Sequence, residues 1–346
     1  MRKKKSTAWL SLLLVFGLVA AACSDDDPET ETGGDGTETD GGGEGGTVEI
    51  SGSSTVAPVS TRVAELFADV NSDIVVNVDG PGTGDGFVLF CEGTTDISDA
   101  SRPIKAEEAA ACADAGIEFI EIKVAIDGLS VITNEANDAV ECLSFADLYA
   151  ISGPESQGID NWNDAEEIAG ELGSSTDLPD ADLSISAPGE ESGTYDSYVE
   201  IVIEEFNEDR DQEAETRPDY QSSADDNVII QGIQGSDTSF GWVGYAFARE
   251  AEGVKSIEID GGDGCVAATD ETIASGEYPI ARDLYIYVNA AKAEENPAIG
   301  EYVDFYLTDE GIAAVPEVGY VSLADDALAD TRAVWEARET GTRDGG

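Results

Sequence analysis

Histidine is absent from all 346 residues. That absence removes Ser-His-Asp and Cys-His nucleophile pairs, imidazole acid–base chemistry and histidine metal sites in one step. No G-x-S-x-G nucleophile turn occurs, and no C-x-x-C spacing offers a zinc or redox pair. Basic residues are scarce too: 17 Lys and Arg against 74 Asp and Glu. A surface so acidic repels nucleic acid and anionic lipid. Beyond the first 22 residues no apolar run is long enough to span a bilayer.

What is present begins with a leader. Arg2, Lys3, Lys4 and Lys5 precede the apolar run AWLSLLLVFGLVAAA and then Cys23. This reads as a signal peptide over 1–22. Ala-Ala-Ala directly before Cys23 resembles a bacterial lipobox, in which that cysteine is lipidated. Residues 24–46 hold no large apolar side chain, so 23–46 reads as a lipidated Cys and a disordered acidic tether. Without the four basic residues of the leader, 13 Lys and Arg face 74 Asp and Glu, a net charge of −61. A cleft for an anion must then rely on local amides and an Arg, which salt screening permits.

The body, 47–343, is long enough for two domains. Its cysteines are Cys91, Cys112, Cys142 and Cys265. An even count in an exported chain points to two disulfides, with three possible connectivities. Cys91–Cys112 with Cys142–Cys265 is preferred, because each pair then stays within one lobe of the division given below.

Strand-like and helix-like runs alternate along the body, which argues for an α/β fold with parallel or mixed sheets. Thr47 to Ser51 and DIVVNV read as strands around a helix bearing Val59, Val63 and Phe67. DGPGTGDGF, from Asp79 to Phe87, reads as a Gly-rich turn. IEFIEIKVAI and GLSVITN read as two strands. LSISA precedes a helix with Tyr195, Tyr198, Val202 and Phe206, and RDLYIYVN is a late strand.

Four turns rich in Gly, Ser and Thr stand out: 51–56, 80–86, 98–103 and 190–194. The first and fourth sit directly before helices. The first N–H groups of a helix lack partners within it and carry partial positive charge, so anions bind there. An ordinary Ser or Thr helix cap has the same look. GTGDGF lacks both G-K-[ST] and a full G-x-G-x-x-G, so neither nucleotide motif applies. Four such turns on one α/β body favour an anion site.

The ordered set GSSTVAPV, GTGDGF, TDISDASRPIK, SGTYD, DDNVIIQG and GWVGYAFA closely resembles the phosphate-binding proteins of bacterial phosphate ABC transporters, which are solute-binding lipoproteins. IARDLYIYVN and EVGYVSL fit the end of that family, so the resemblance covers 47–323. It implies a type II periplasmic-binding-protein fold, with two lobes and a ligand cleft between them. It also implies an extracytoplasmic receptor, anchored to the cell membrane through its lipid only. Such a receptor is a monomer, takes no cofactor, metal or nucleic acid, and delivers inorganic phosphate to permease subunits. Carried over by motif, the ligand contacts are Ser53, Ser54, Thr55, the amide of Val56, the Gly84 turn, Ser101, Ser192, Gly193 and Thr194.

Two positions depart from the family pattern. Pro188 stands where many relatives carry an Arg before S-G-T, which makes Arg102 the candidate guanidinium. Ser101 stands where those relatives carry a proton-accepting Asp, which leaves Asp85 as the candidate carboxylate. The lobes are expected at 47–127 plus 282–343 and at 128–281, with crossings near 126–129 and 281–284. Competing readings are a receptor for sulfate, molybdate or arsenate, a secreted hydrolase using Ser192, and an acidic calcium or adhesion protein using DGGDG at 260–264. The last lacks the loop-closing Glu of an EF-hand.

Overall fold

The computed structural model describes residues 45–343. The leader, Cys23 and the tether up to residue 44 lie outside the described residues.

The first strand, β1 (Gly46–Gly52), buries Val48 and Ile50 and exposes Glu49, the period-2 pattern of a strand with one face in a core. It feeds α1 (Ala57–Val70), whose buried face is Val59, Val63 and Phe67 and whose first turn carries Pro58. After β2 (Ile74–Asp79) comes α2 (Thr83–Cys91). Here the Gly-rich turn is shorter than expected, since Thr83 to Gly86 are already helical. The reason is a close approach: a Cβ on Gly86 would stand 2.4 Å from the Gly52 Cα. Glycine lets the helix lie on the strand. The chain continues through β3 (Ile97–Ala100) and α3 (Ala106–Asp114).

The two strands expected after α3 are one, the 16-residue β4 (Phe119–Asn134). Gly128 does not break it. A Cβ there would meet the Ile273 side chain at 2.8 Å, so the glycine makes room for packing. Beyond it lie β5 (Cys142–Ser144), α4 (Phe145–Ser152), α5 (Glu166–Glu171), β6 (Ser184–Ala187) and α6 (Gly193–Tyr198). Next are β7 (Gln221–Ser222), α7 (Asp226–Gln234), β8 (Ser239–Gly244), α8 (Tyr245–Ala248) and β9 (Val254–Ser256). Then come β10 (Glu258–Asp260), β11 (Cys265–Val266), α9 (Asp270–Ala274) and the long β12 (Ala281–Asn289). Helices, including Pro297–Tyr306 and Asp325–Ala337, complete the described chain.

The main sheet runs β2-β1-β3-β12-β4-β8-β6-β7, with β9 also on β4. Its ends are parallel, β1 with β2 and β3, and β6 with β7 and β8. Its middle is antiparallel: β12 pairs β4 from Phe119 to Gly128, and β8 takes over from Leu129 to Ile132. This is the mixed α/β architecture anticipated from the alternation. β4 serves two apolar clusters. Ile120, Ile122 and Val124 join one with α1 and Pro297–Tyr306, while Leu129 and Val131 join another with Trp242 and Tyr198. Tyr198 stacks flat on Trp242 at 3.9 Å. Each such large side chain, fully buried, contributes about 1.5–3 kcal/mol. The disulfides are Cys91–Cys112 and Cys142–Cys265, the preferred connectivity.

Candidate functional site

The loop between β1 and α1 answers to both readings of its hydroxyls. The Ser53 Oγ accepts from the amides of Thr55 at 3.2 Å and Val56 at 3.4 Å, so it closes a local turn. Ser53, Thr55 and Val56 are buried. Ser54 and Thr55 instead reach across to α6. The Ser54 hydroxyl donates to the Asp196 carboxylate at 2.7 Å, and Thr55 Oγ1 lies 3.5 Å from Ser197 Oγ. In the fourth turn the Ser192 Oγ accepts from the Thr194 amide at 3.2 Å, which makes it the cap of α6. A Cβ on Gly193 would lie 3.5 Å from the Thr55 Cα, so the first and fourth turns face each other closely.

The second and third turns also meet. Ser101 and Thr83 share a hydrogen bond between hydroxyls at 2.9 Å, and the Ser101 amide donates to Thr83 Oγ1 at 3.2 Å. Ser53, Ser54, Thr55, Thr83 and Ser101 line a cleft of about 300 Å³ opposite Asp196 and Glu200. It continues into a wider opening of about 1000 Å³ that includes Gly84, Asp85, Arg102 and Arg282. Gly84 and Asp85 are exposed on the first turn of α2.

Arg102 lines the wider opening, but its fork is engaged. Its Nη1 and Nη2 each donate to the Glu108 carboxylate at 2.8 Å, and the same carboxylate accepts from the Lys105 amide at the start of α3. Burial raises the Glu108 carboxyl, but the bonds from Arg102 and Lys105 outweigh it and hold the group below its usual range. The guanidinium also sits over the Phe87 ring, 5.6 Å from its centre.

The guanidinium at the Ser/Thr loop is one that the sequence reading did not single out, Arg282. It pairs in register with Asp127 across β12 and β4, so both side chains stand on one face of the sheet. Arg282 Nη2 donates to Thr55 Oγ1 at 3.0 Å and to Ser197 Oγ at 2.5 Å. Nη1 donates to the Glu200 carboxylate. Nε lies 3.6 Å from the Asp127 carboxylate, which accepts the Ser197 hydroxyl at 2.6 Å. Burial pushes the Asp127 carboxyl up, while Arg282 and Ser197 pull it down; burial wins. Burial likewise raises Asp196, against the Ser54 hydrogen bond. Directly after α6, residues Val199–Ile203 wind as a π turn, closed by the Glu204 amide on the Val199 carbonyl at 2.9 Å. Among the described residues no group of three or more acidic or cysteine side chains is arranged to hold a metal.

A family model described as the PBP superfamily domain matches residues 33–310. The chain belongs to the PBP superfamily. Protein SphX of Synechocystis sp. is 36% identical over 303 residues, covering 86% of this chain and 85% of its own. The phosphate-binding protein PstS of Staphylococcus saprophyticus is 34% identical over 280 residues, covering 80% and 81%. The crystal structure of a possible phosphate binding protein from Planctomyces limnophilus is 34% identical, with a TM-score of 0.74 over 85% of this chain and 99% of that one. An ABC-type phosphate transport receptor from Vibrio cholerae, 21% identical over 79% of this chain and 99% of that one, shares the fold at a TM-score of 0.60. The periplasmic-binding-protein fold expected from the motifs is therefore the one present. In this PBP-superfamily chain the Ser/Thr loop, Ser101 and α6 gather at one cleft. Asp196, Glu200 and Arg282 line it too, with Asp127 and Ser197 buried behind the guanidinium. The signal for Arg282 was its place at an expected crossing, in a body with 13 basic residues.

Proposed function

We propose that this protein is an extracytoplasmic receptor for inorganic phosphate that hands its ligand to an ABC importer. One observation carries the reading. The hydroxyl-bearing turn 51–56 faces α6 across a cleft, and the Arg282 guanidinium joins Thr55 of the turn to Ser197 of the helix. Hydroxyls, helix-start amides and a planar fork are what a tetrahedral oxyanion needs when water is excluded. Relatives named for phosphate binding support the choice of anion. The protein binds and releases; it performs no reaction.

Ser54, Thr55 and Ser101 would line the anion on one side, and Ser192, Gly193 and Thr194 would approach from the other. Ser53 and Val56 would shape the loop, and the Gly84 turn would form the rim. Arg282 fits the charge-pairing role better than Arg102, because it reaches the Ser/Thr loop at Thr55 while Glu108 turns the whole Arg102 fork toward α3. Asp196 fits the role of proton acceptor better than the exposed Asp85, because it lines the cleft and already accepts a hydrogen bond from the Ser54 hydroxyl. Sulfate carries no proton at neutral pH, so a carboxylate there would exclude it.

The lobes we assign are 47–127 plus 282–343 and 128–281, joined where β4 and β12 run side by side. Val321 and Leu323 reach from the first onto the second cluster. A signal peptide over 1–22 would direct export and be removed, and lipidation at Cys23 with the acidic tether would hold a monomeric receptor at the membrane surface. None of the described helices is long and apolar enough to cross a membrane.

The test is isothermal titration of the protein with phosphate, sulfate, molybdate and arsenate in high salt, which mutes the acidic surface. Phosphate at micromolar affinity or tighter is expected. Preference for another anion would change the ligand, and silence with all four would end the reading.

A further inference from the structure

We infer that Glu200 is a built-in competitor for the ligand: its carboxylate takes the Nη1 end of the Arg282 guanidinium, and a bound oxyanion displaces it. The inference rests on the anion reading above and adds a residue that sets the apparent affinity.

Two carboxylates contact Arg282, and they differ in one decisive respect. Asp127 is 3% exposed and held by the Ser197 hydroxyl at 2.6 Å. Moving it off the guanidinium would strand a buried charge. Glu200 is 39% exposed and contacts only the Nη1 end, on the cleft side. It can turn into water and leave no buried charge behind. So Asp127 holds the guanidinium in place, and Glu200 is the partner that yields.

The backbone supports this. Glu200 lies in the π turn that follows α6, four residues after Asp196. From one helical segment Asp196 therefore meets the Ser54 hydroxyl and Glu200 meets Arg282. Together they present carboxylate oxygens to donors of the opposite wall, as a small oxyanion would. Glu204 lies near Glu200 as well, and its carboxyl is pushed up first by burial and then by the Glu200 charge. That repulsion favours an outward position for Glu200 once an anion takes its place on Arg282.

An internal contact that must break before a ligand binds lowers ligand affinity by the factor with which it is populated. Removing it should therefore tighten binding. A charge-assisted hydrogen bond of this partly exposed kind corresponds to about five- to tenfold.

The experiment titrates phosphate into the wild type, Glu200→Gln and Glu200→Ala, and measures the radius of gyration by small-angle scattering with and without ligand. Both variants should bind about five- to tenfold tighter. Their empty forms should be more expanded than the empty wild type, and all three should converge when saturated. Unchanged or weaker binding in both variants overturns the inference, since Glu200 would then be a spectator or a ligand contact. If the wild type binds none of the four oxyanions, the phosphate reading falls by itself. The scattering arm then decides: an expanded empty Glu200→Gln supports the Arg282–Glu200 closure contact, and an unchanged one overturns it.

Discussion

Replacing Arg282 by Ala should do two separable things. The first is loss of ligand. Arg282 is the guanidinium that touches the Ser/Thr loop, with Nη2 3.0 Å from Thr55 Oγ1. A hydrogen bond to a charged group contributes about 1.5–3 kcal/mol, or about 10- to 150-fold in affinity. Lys in its place keeps the charge and loses the fork, so Arg282→Lys should fall between the wild type and Arg282→Ala. Arg102→Ala is the internal control. Its guanidinium is 28% exposed and committed to Glu108, so its loss should weaken phosphate by at most about fivefold, the range of a partly exposed ion pair.

The second effect is on stability. Without Arg282 the Asp127 carboxylate keeps the Ser197 hydrogen bond but loses its positive partner in a buried place. Breaking a buried pair from one side costs about 3–5 kcal/mol when the remaining charge stays ionised. Asp127 can escape by binding a proton, because burial already raises its carboxyl. A carboxyl raised in the folded state gives stability at low pH that is lost as pH rises, so Arg282→Ala should be destabilised more at pH 8 than at pH 5. Adding Asp127→Asn to Arg282→Ala should restore stability but not affinity. Urea denaturation of the ligand-free proteins reads the first, and phosphate titration in high salt reads the second. Wild-type phosphate affinity in Arg282→Ala, or a double variant that regains binding along with stability, would refute the reasoning.

Two further outcomes follow from the same geometry. Thr55→Val should weaken phosphate by about 1–3 kcal/mol and Thr194→Val by less, since only Thr55 is joined to Arg282 by its side chain; normal titrations of both would reduce these hydroxyls to fold contacts. Asp99 is buried on β3, takes the Ser60 hydroxyl at 2.9 Å and leaves its second oxygen unpaired. Burial pushes its carboxyl up to about 7 against that hydrogen bond. Its unfolded value is about 3.9, so wild-type stability should fall by up to about 4 kcal/mol between pH 4 and pH 7 on its account. Asp99→Asn should lack that share of the slope in denaturant midpoints measured across the range, and equal slopes in the two proteins would disprove it.

How much of this was legible depends on the distance over which each fact is decided. β1 and α1 were readable because Val48 and Ile50, then Val59, Val63 and Phe67, write their own periods into the chain. The disulfides were readable because each pairing keeps to one part of the fold. The first turn of α2 was misread because Gly86 answers to Gly52, a contact that glycine spacing alone does not reveal. β4 was cut in two for the same reason, as Gly128 answers to Ile273. The guanidinium was the largest gap. Arg102 looked free in SRPIK, yet Glu108 stands six residues on and is also bound to the Lys105 amide at the helix start. The sequence held that clue, in the spacing of a helix-capping Glu. For Arg282 it held only position, at an expected crossing, and nothing of the partners it meets. Its meeting with Thr55, 227 residues away, exists only once β12 lies against β4 in a register that sets Arg282 opposite Asp127. A side chain that joins two walls of a cleft is specified by strand pairing, so motif reading finds the loops of such a site before it finds the charge between them.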